Sequence, residues 1–200
     1  MKNKKTDIVF LLDRSGSMSG LESDTIGGYN SFIKEQKKIE GEVYLTTVLF
    51  DNEYEVLHDR VDIKKVKNLT EKDYYVRGST ALLDAIGITI NNIKKKAKDH
   101  KVIFVITTDG MENASREYTK EKIKKMIEHN KNFEFIYLGA NIDAYSEGMN
   151  IGISRSNIAN YKASEKGTKS MFRGLSKAVY ECAMDMGVSE SWKEDIEKEL

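Results

Sequence analysis

The chain has 200 residues, of which 40% are hydrophobic and 32% charged, a length and balance typical of one soluble globular domain. Lysine plus arginine and aspartate plus glutamate both number 32, so the net charge is zero, which argues against bulk binding to nucleic acid or to an anionic membrane. The single cysteine, Cys182, excludes an internal disulfide framework and a cysteine zinc cluster, and its apolar position in a helical pattern favours packing in the core.

Strand and helix patterns alternate along the whole chain. Runs of apolar and β-branched residues predict strands at 7–12, 42–50, 52–61, 101–108, 133–140 and 156–162. Helical spacing of apolar residues predicts helices at 21–39, 80–98, 119–131, 143–152 and 164–186. We also predict a short helix at 62–69 and another from Ser191, where Ser191 and Glu194 have the spacing of a capping box.

This alternation predicts an α/β fold with a doubly wound, Rossmann-like sheet of six mostly parallel strands and helices on both faces. Almost no loop separates strand 52–61 from strand 42–50, so we expect the two to form a hairpin with one antiparallel strand at the edge. The first residues, MKNKKTD, lack the apolar segment of a secretory signal, and no apolar run approaches the length of a membrane span. On that basis we expect a cytoplasmic protein.

Polar residues follow or precede the predicted elements at three places far apart in the sequence. The stretch DRSGS places Asp13, Ser15 and Ser17 after the first strand, TTDG ends a later strand in Asp109, and GST places Thr80 at the start of a long helix. In doubly wound folds, ligands bind beyond the carboxyl ends of the strands, so we expect all three clusters at one edge of the sheet.

Together these clusters offer two carboxylates and several hydroxyls, with no histidine or thiol. Such oxygen ligands suit a hard divalent cation, with Mg²⁺ favoured and Mn²⁺ or Ca²⁺ as alternatives. In the turn, alternation predicts that Asp13, Ser15 and Ser17 point inward and Arg14 outward, and Gly16 permits a close backbone approach. Taken singly, each cluster is better explained as a helix cap or a strand end. Their predicted meeting at one cleft favours a cation site.

Other residues near these clusters have alternative interpretations. Glu112 and Asn113 either rim the site, contact a partner or, as we favour, form a solvent-exposed segment that leads into a helix. Asp84 either supports a hydroxyl or water of the site or is simply exposed on its helix. Asp51 is assigned to the hairpin turn, and Trp192 is predicted to anchor the last helix to the domain.

At these residues the sequence resembles a known family. DRSGSM resembles the D-x-S-x-S motif of von Willebrand factor type A domains, GST at 78–80 resembles their threonine loop, and TTDG at 107–110 resembles the segment with their second aspartate. These features occur in the family's order over nearly the whole chain, and YLGANIDAYSEGMNIGI is similar to a stretch in bacterial and phage members. The resemblance implies such a domain over residues 1–187 and a C-terminal helical extension over 188–200 packed on it.

The resemblance also implies a metal-ion-dependent adhesion site. Carried over by position, its metal ligands are Asp13, Ser15, Ser17, Thr80 and Asp109. The expected function is a protein–protein interaction module without enzymatic activity, in which an acidic side chain of a partner protein completes the coordination of Mg²⁺. We expect a monomer, and we expect helix 164–186, which contains two glycines, to be the movable element.

Two other functions stay open at this point. The first is a metal-assisted hydrolase or phosphotransferase, but Ser15 stands where haloacid-dehalogenase-like phosphatases need a second aspartate. The chain also has no phosphate-binding loop, no G-x-S-x-G motif and no histidine at a strand end. The second is a structural subunit of a bacterial or phage assembly whose metal takes no part in ligand binding.

Overall fold

The apolar run near the start of the chain forms a central strand of the sheet, and helices cover both faces of the sheet around it. The computed structural model describes residues 5–200, so the part of the domain prediction that covers residues 1–4 lies outside it. The strands are β1 (Lys5–Asp13), β2 (Glu42–Phe50), β3 (Tyr54–Asp62), β4 (Lys101–Thr108), β5 (Phe133–Ala140) and β6 (Ile158–Tyr161). The helices are α1 (Glu22–Gln36), α2 (Leu82–Lys96), α3 (Lys120–His129), α4 (Ala144–Asn150), α5 (Glu165–Ala183) and α6 (Glu194–Glu197).

The six strands form one sheet in the order β3-β2-β1-β4-β5-β6. All neighbours are parallel except β2 and β3, which pair as an antiparallel hairpin at the edge. The predicted doubly wound fold with one antiparallel edge strand is therefore confirmed.

Successive residues of β1 face two different cores. Phe10 packs with Phe32 of α1 and Phe172 of α5, whereas Val9 and Leu11 belong to the core that includes α2 and α3. Because side chains alternate along a strand and both faces are covered, the strand reads as a continuous apolar run. Cys182 is buried in the first of these cores, as predicted.

Helix α5 packs closely on its neighbours at both of its glycines. A Cβ atom at Gly167 would lie 2.1 Å from the carbonyl oxygen of Lys162, and one at Gly174 would lie 2.5 Å from that of Trp192. Packing accounts for both glycines, so they give no support to a movable helix, and the expected movement of α5 stays a prediction. Residues 5–200 include no helix with both the length and the apolarity needed to cross a membrane.

Two predicted short helices were wrong in position or type. Only a single 3₁₀ turn, Ile63–Lys65, forms within 62–69. The last helix begins at Glu194 and not at Ser191, and no side chain caps it. The reason is tertiary, because Trp192 is buried and its indole Nε1 donates to the carbonyl of Ser156 at 3.0 Å, which holds this segment in a 3₁₀ turn. The predicted anchoring role of Trp192 is confirmed.

Candidate functional site

Two aspartates lie side by side because their strands are neighbours. In the parallel pair β1 and β4, Leu12 is in register with Thr107, so Asp13 and Thr108 end adjacent strands. The Thr108 hydroxyl donates to Asp13 Oδ2 at 2.5 Å, and the backbone N–H of Ser15 donates to Asp13 Oδ1 at 2.7 Å. Asp109 follows directly, at the carboxyl edge of the sheet where the fold class places ligands.

The structure brings all five predicted site residues together around this point. The Ser17 hydroxyl donates to Asp109 Oδ1 at 2.5 Å, and the Oγ atoms of Ser15 and Ser17 are 3.0 Å apart. A Cβ atom at Gly110 would lie 2.9 Å from Thr80 Oγ1, 3.0 Å from Ser17 Oγ and 3.6 Å from Ser15 Oγ. Three hydroxyl oxygens from two separate loops therefore converge beside Gly110.

The two carboxyl groups of this cluster are strongly desolvated. Asp13 is 0% exposed and Asp109 is 4% exposed. Burial is the main cause that raises the pKa of Asp13 from 3.8 to about 6, and the nearby charge of Asp109 adds to it, against hydrogen bonds that lower it. Burial also raises the pKa of Asp109, although its bond from Ser17 opposes this. Two buried negative charges at one place call for a compensating cation.

The donor atoms fit a hard divalent ion. Asp109 Oδ2 is buried and finds no hydrogen-bond partner among residues 5–200. The same part of the chain contains no group of three or more His, Cys, Asp or Glu side chains placed to hold a metal. The hydroxyls of Ser15, Ser17 and Thr80 are therefore an essential part of the oxygen donor set, and such a set suits Mg²⁺, Mn²⁺ or Ca²⁺ rather than a soft metal.

We expect Gly110→Ala to abolish divalent metal binding and to leave the fold intact. The added methyl group would stand within about 3 Å of the Thr80 and Ser17 oxygens and occupy the space where the hydroxyls converge. Calorimetric titration with Mg²⁺ measures the loss, and thermal unfolding checks the fold. Gly27→Ala is the matched control, since a Cβ atom there meets nothing within 4 Å. Equal metal affinity in both variants would show that the ion does not bind beside Gly110.

The prediction that Arg14 points outward was wrong. Arg14 is fully buried, with Nε 3.1 Å from Asp51 Oδ2 and Nη1 2.6 Å from Glu55 Oε2. The register explains this, because Asp13 is paired with Phe50 in β2, so the next residue of each strand lies beside the other. Arg14 turns towards the edge hairpin while Asp13 turns towards β4.

Asp51 joins three segments that border the candidate site. It is fully buried, and its Oδ2 also accepts a bond from Arg77 Nε at 2.7 Å. Its carbonyl accepts from the N–H of Ala81 at 2.9 Å, and its Oδ1 accepts from the N–H of Glu53 at 2.5 Å. The assignment of Asp51 to the hairpin turn therefore missed its main role, which is to hold the loop before Thr80 against β1 through Arg14 and Arg77.

The segment between Asp109 and α3 is tied to the start of α2. The N–H of Thr80 donates to Asn113 Oδ1 at 2.9 Å, and that of Leu83 donates to Glu112 Oε2 at 2.9 Å. Asp84 in turn accepts three backbone N–H bonds from residues 116–118. Contrary to the interpretations of Glu112 and Asp84 as exposed residues, these side chains cap backbone groups and fix the loop that carries Gly110.

Comparison with known proteins bears on the fold. No protein family's sequence profile matches the chain, and no curated protein does either. Among solved structures, the von Willebrand factor domain of the pilus tip protein Mfa5 from Porphyromonas gingivalis superposes with a TM-score of 0.67 at 10% identity, over 94% of this chain and 98% of that one. The manganese-loaded TRAP protein of Plasmodium vivax gives 0.62 at 17% identity, over 80% and 70%.

A third similar structure is proximal thread matrix protein 1 of the mussel byssus with a zinc-occupied metal-ion-dependent adhesion site, at a TM-score of 0.62 and 16% identity. The superposition covers 89% of this chain, which spans 46% of the mussel chain. These likenesses show that the chain has the von Willebrand factor type A fold.

Proposed function

We propose that this chain, which has the von Willebrand factor type A fold, is a protein-interaction module that depends on a divalent cation. Asp13, Ser15, Ser17, Thr80 and Asp109 would hold the ion, directly or through water. Mg²⁺ is the favoured ion, and Mn²⁺ and Ca²⁺ are alternatives. When bound, the ion supplies a positive centre that can accept a carboxylate from a partner protein.

The observation that carries this proposal is the convergence beside Gly110. Three hydroxyl oxygens approach one point there, next to a buried carboxylate pair. One oxygen of that pair, Asp109 Oδ2, has no hydrogen-bond partner in the described part of the chain. Two carboxylates balance the charge of one divalent ion. An ion–carboxylate contact with a partner would be much stronger in a partly dry interface than in water. The zinc-occupied site of the mussel protein and the manganese-loaded TRAP protein support the choice of a divalent metal.

The surroundings of the serines favour binding over hydrolysis. The Ser17 hydroxyl donates to Asp109, and no imidazole stands beside it. All three histidines lie elsewhere: His58 on β3, His100 against Asp7 at the start of β1, and His129 at the end of α3. The serines therefore act in this proposal as oxygen ligands and not as nucleophiles.

Calorimetric titration of the purified chain with Mg²⁺ and with Mn²⁺ tests the metal site. We expect one ion per chain, no binding to Asp13→Ala, and normal binding to Asp99→Ala, which removes an exposed carboxylate far from the site. Saturating metal should also raise the Tm of the wild type and of Asp99→Ala, but not that of Asp13→Ala, because an ion that binds only the folded chain stabilises it. Unchanged titration of Asp13→Ala would overturn the assignment.

A further inference from the structure

Two exposed apolar side chains belong to the loops of the candidate site. Among residues 5–200, the large apolar side chains that are exposed are Val56, Tyr75, Met111, Met149, Tyr180, Met184, Met186 and Leu200. Tyr75 is on the loop that leads to Thr80, and Met111 follows Asp109 by two positions. Single exposed apolar residues are common on protein surfaces, so their position matters more than their exposure.

Tyr75 is held in place beside the site. Tyr75 is 46% exposed, and the guanidinium carbons of Arg14 and Arg77 lie 5.5 Å and 5.6 Å from the centroid of its ring. The preceding residue, Tyr74, is buried, and its hydroxyl donates to the carbonyl of Asp13 at 2.7 Å. The position of Tyr75 is therefore fixed relative to Asp13. An aromatic side chain fixed in this way loses little conformational entropy when it binds a partner.

Met111 is 64% exposed on a loop that is anchored on both sides. It is preceded by Gly110, beside which the three hydroxyl oxygens converge. It is followed by Glu112, which accepts hydrogen bonds from the backbone N–H groups of Ala114 and Ser115. The backbone is thus fixed while the side chain is long and unbranched. Methionine in such a place adapts its shape to different apolar groups.

We infer that Tyr75 and Met111 bind apolar side chains of the partner, so that the partner presents a carboxylate flanked in its sequence by apolar or aromatic residues. This inference rests on the proposed function. Apolar contacts around the ion would exclude water from the ion–carboxylate bond, which strengthens it and makes the two contacts central to binding. They would also distinguish this partner from any other acidic surface.

A displayed library of random peptides is the probe. The library is selected on the immobilised wild-type chain in Mg²⁺, and bound members are released with EDTA. We expect the released peptides to be enriched in an acidic residue with apolar or aromatic neighbours. A synthetic peptide of the enriched sequence is then titrated into the variants.

The test variant is the double substitution Tyr75→Ala/Met111→Ala, and the control is Tyr180→Ala/Met186→Ala. The control residues match in exposure, at 45% and 64% against 46% and 64%. They lie near the end of α5 and just after it, close in sequence to Asp185. Asp185 pairs with Lys101 at the amino end of β4, so this region lies at the opposite end of the strands from the candidate site. We expect the test variant to bind the peptide at least about tenfold more weakly, with unchanged Mg²⁺ affinity, and the control to bind it normally.

The outcomes separate this inference from the proposed function. Enrichment of acidic residues without apolar neighbours, or equal peptide affinity in both double variants, would overturn the inference and leave the metal-dependent module standing. Failure to recover any acidic peptide that EDTA releases would overturn the proposed function, and the inference with it.

Discussion

Asp13→Asn should make the metal-free protein more stable than the wild type and at the same time abolish its metal binding. Asp13 is buried, and its charge is unfavourable in the fold, with a pKa raised from 3.8 to about 6. An amide keeps the shape and can still accept the N–H of Ser15, while the Thr108 hydroxyl can turn to the carbonyl of Gly110, which is 3.1 Å away. The substitution therefore removes a buried charge, and the Thr108 oxygen, which lies 2.5 Å from Asp13 Oδ2, can accept one of the two N–H groups of the new amide.

The expected gain follows from the difference between the folded and unfolded pKa. Because the folded value is the higher one, ionisation of Asp13 opposes folding, and the penalty grows as the pH rises from about 4 to about 6 and is constant above that. At about 1.4 kcal/mol per pKa unit the penalty is at most about 3 kcal/mol, which for a chain of this size corresponds to a rise in Tm of at most roughly 6–12 °C.

Thermal unfolding in EDTA between pH 4 and pH 8 measures this effect. The advantage of Asp13→Asn should be small at the acid end and full at neutral pH, and saturating Mg²⁺ should reverse the order by stabilising the wild type alone. Asp99→Asn, which changes an exposed carboxylate, should follow the wild type throughout. An Asp13→Asn protein that is less stable than the wild type in EDTA at pH 7 would contradict the prediction.

Arg14→Met should destabilise the protein by about 2–4 kcal/mol and weaken its metal affinity, although Arg14 is not among the expected ligands. Removal of one partner of a buried ion pair leaves a buried charge poorly compensated, which costs about 3–5 kcal/mol in measured cases. We expect a somewhat smaller loss here because Asp51 keeps Arg77. The metal affinity should fall because Arg14 and Asp51 hold the loop before Thr80 against β1.

Arg77→Met is the matched control for the stability part of this prediction. Arg77 contacts the same oxygen of Asp51, but its side chain is 37% exposed, so its removal should destabilise the protein much less than Arg14→Met. Denaturant unfolding of both variants gives the free energies, and titration with Mg²⁺ gives the affinities. The double variant Arg14→Met/Asp51→Asn should be less destabilised than the sum of its parts. Equal losses from Arg14→Met and Arg77→Met would show that burial of the Arg14–Asp51 pair has no special weight.

Much of the fold could be predicted because buried strands leave a strong local pattern. The predicted strands 42–50, 101–108 and 133–140 have the observed bounds, since each is largely buried on both faces and is followed directly by a polar residue. The meeting of Asp13, Thr80 and Asp109 could also be predicted, because the carboxyl ends of parallel strands lie at one edge of a sheet.

Arg14 and Asp51 show where sequence patterns fail. The side-chain direction of a residue one position beyond a strand does not follow from the periodicity of the strand. Alternation alone therefore led to the wrong prediction that Arg14 faces the solvent. Its actual direction depends on which strand lies next to β1 and in what register. The predictions of a helix at 62–69 and of a last helix from Ser191 were wrong for a related reason. Local helix signals in these two segments are overridden by packing on the domain.

The order of the elements and the chemical character of the candidate site could be inferred without a structure, because apolar periodicity and residue type are local properties of the chain. The packing of the folded chain fixes which charges are buried, which side chains hold the loops and which apolar groups, Tyr75 and Met111, are exposed on the loops of the candidate site. Those features arise from contacts between residues far apart in the sequence, and such contacts are fixed by strand order and register.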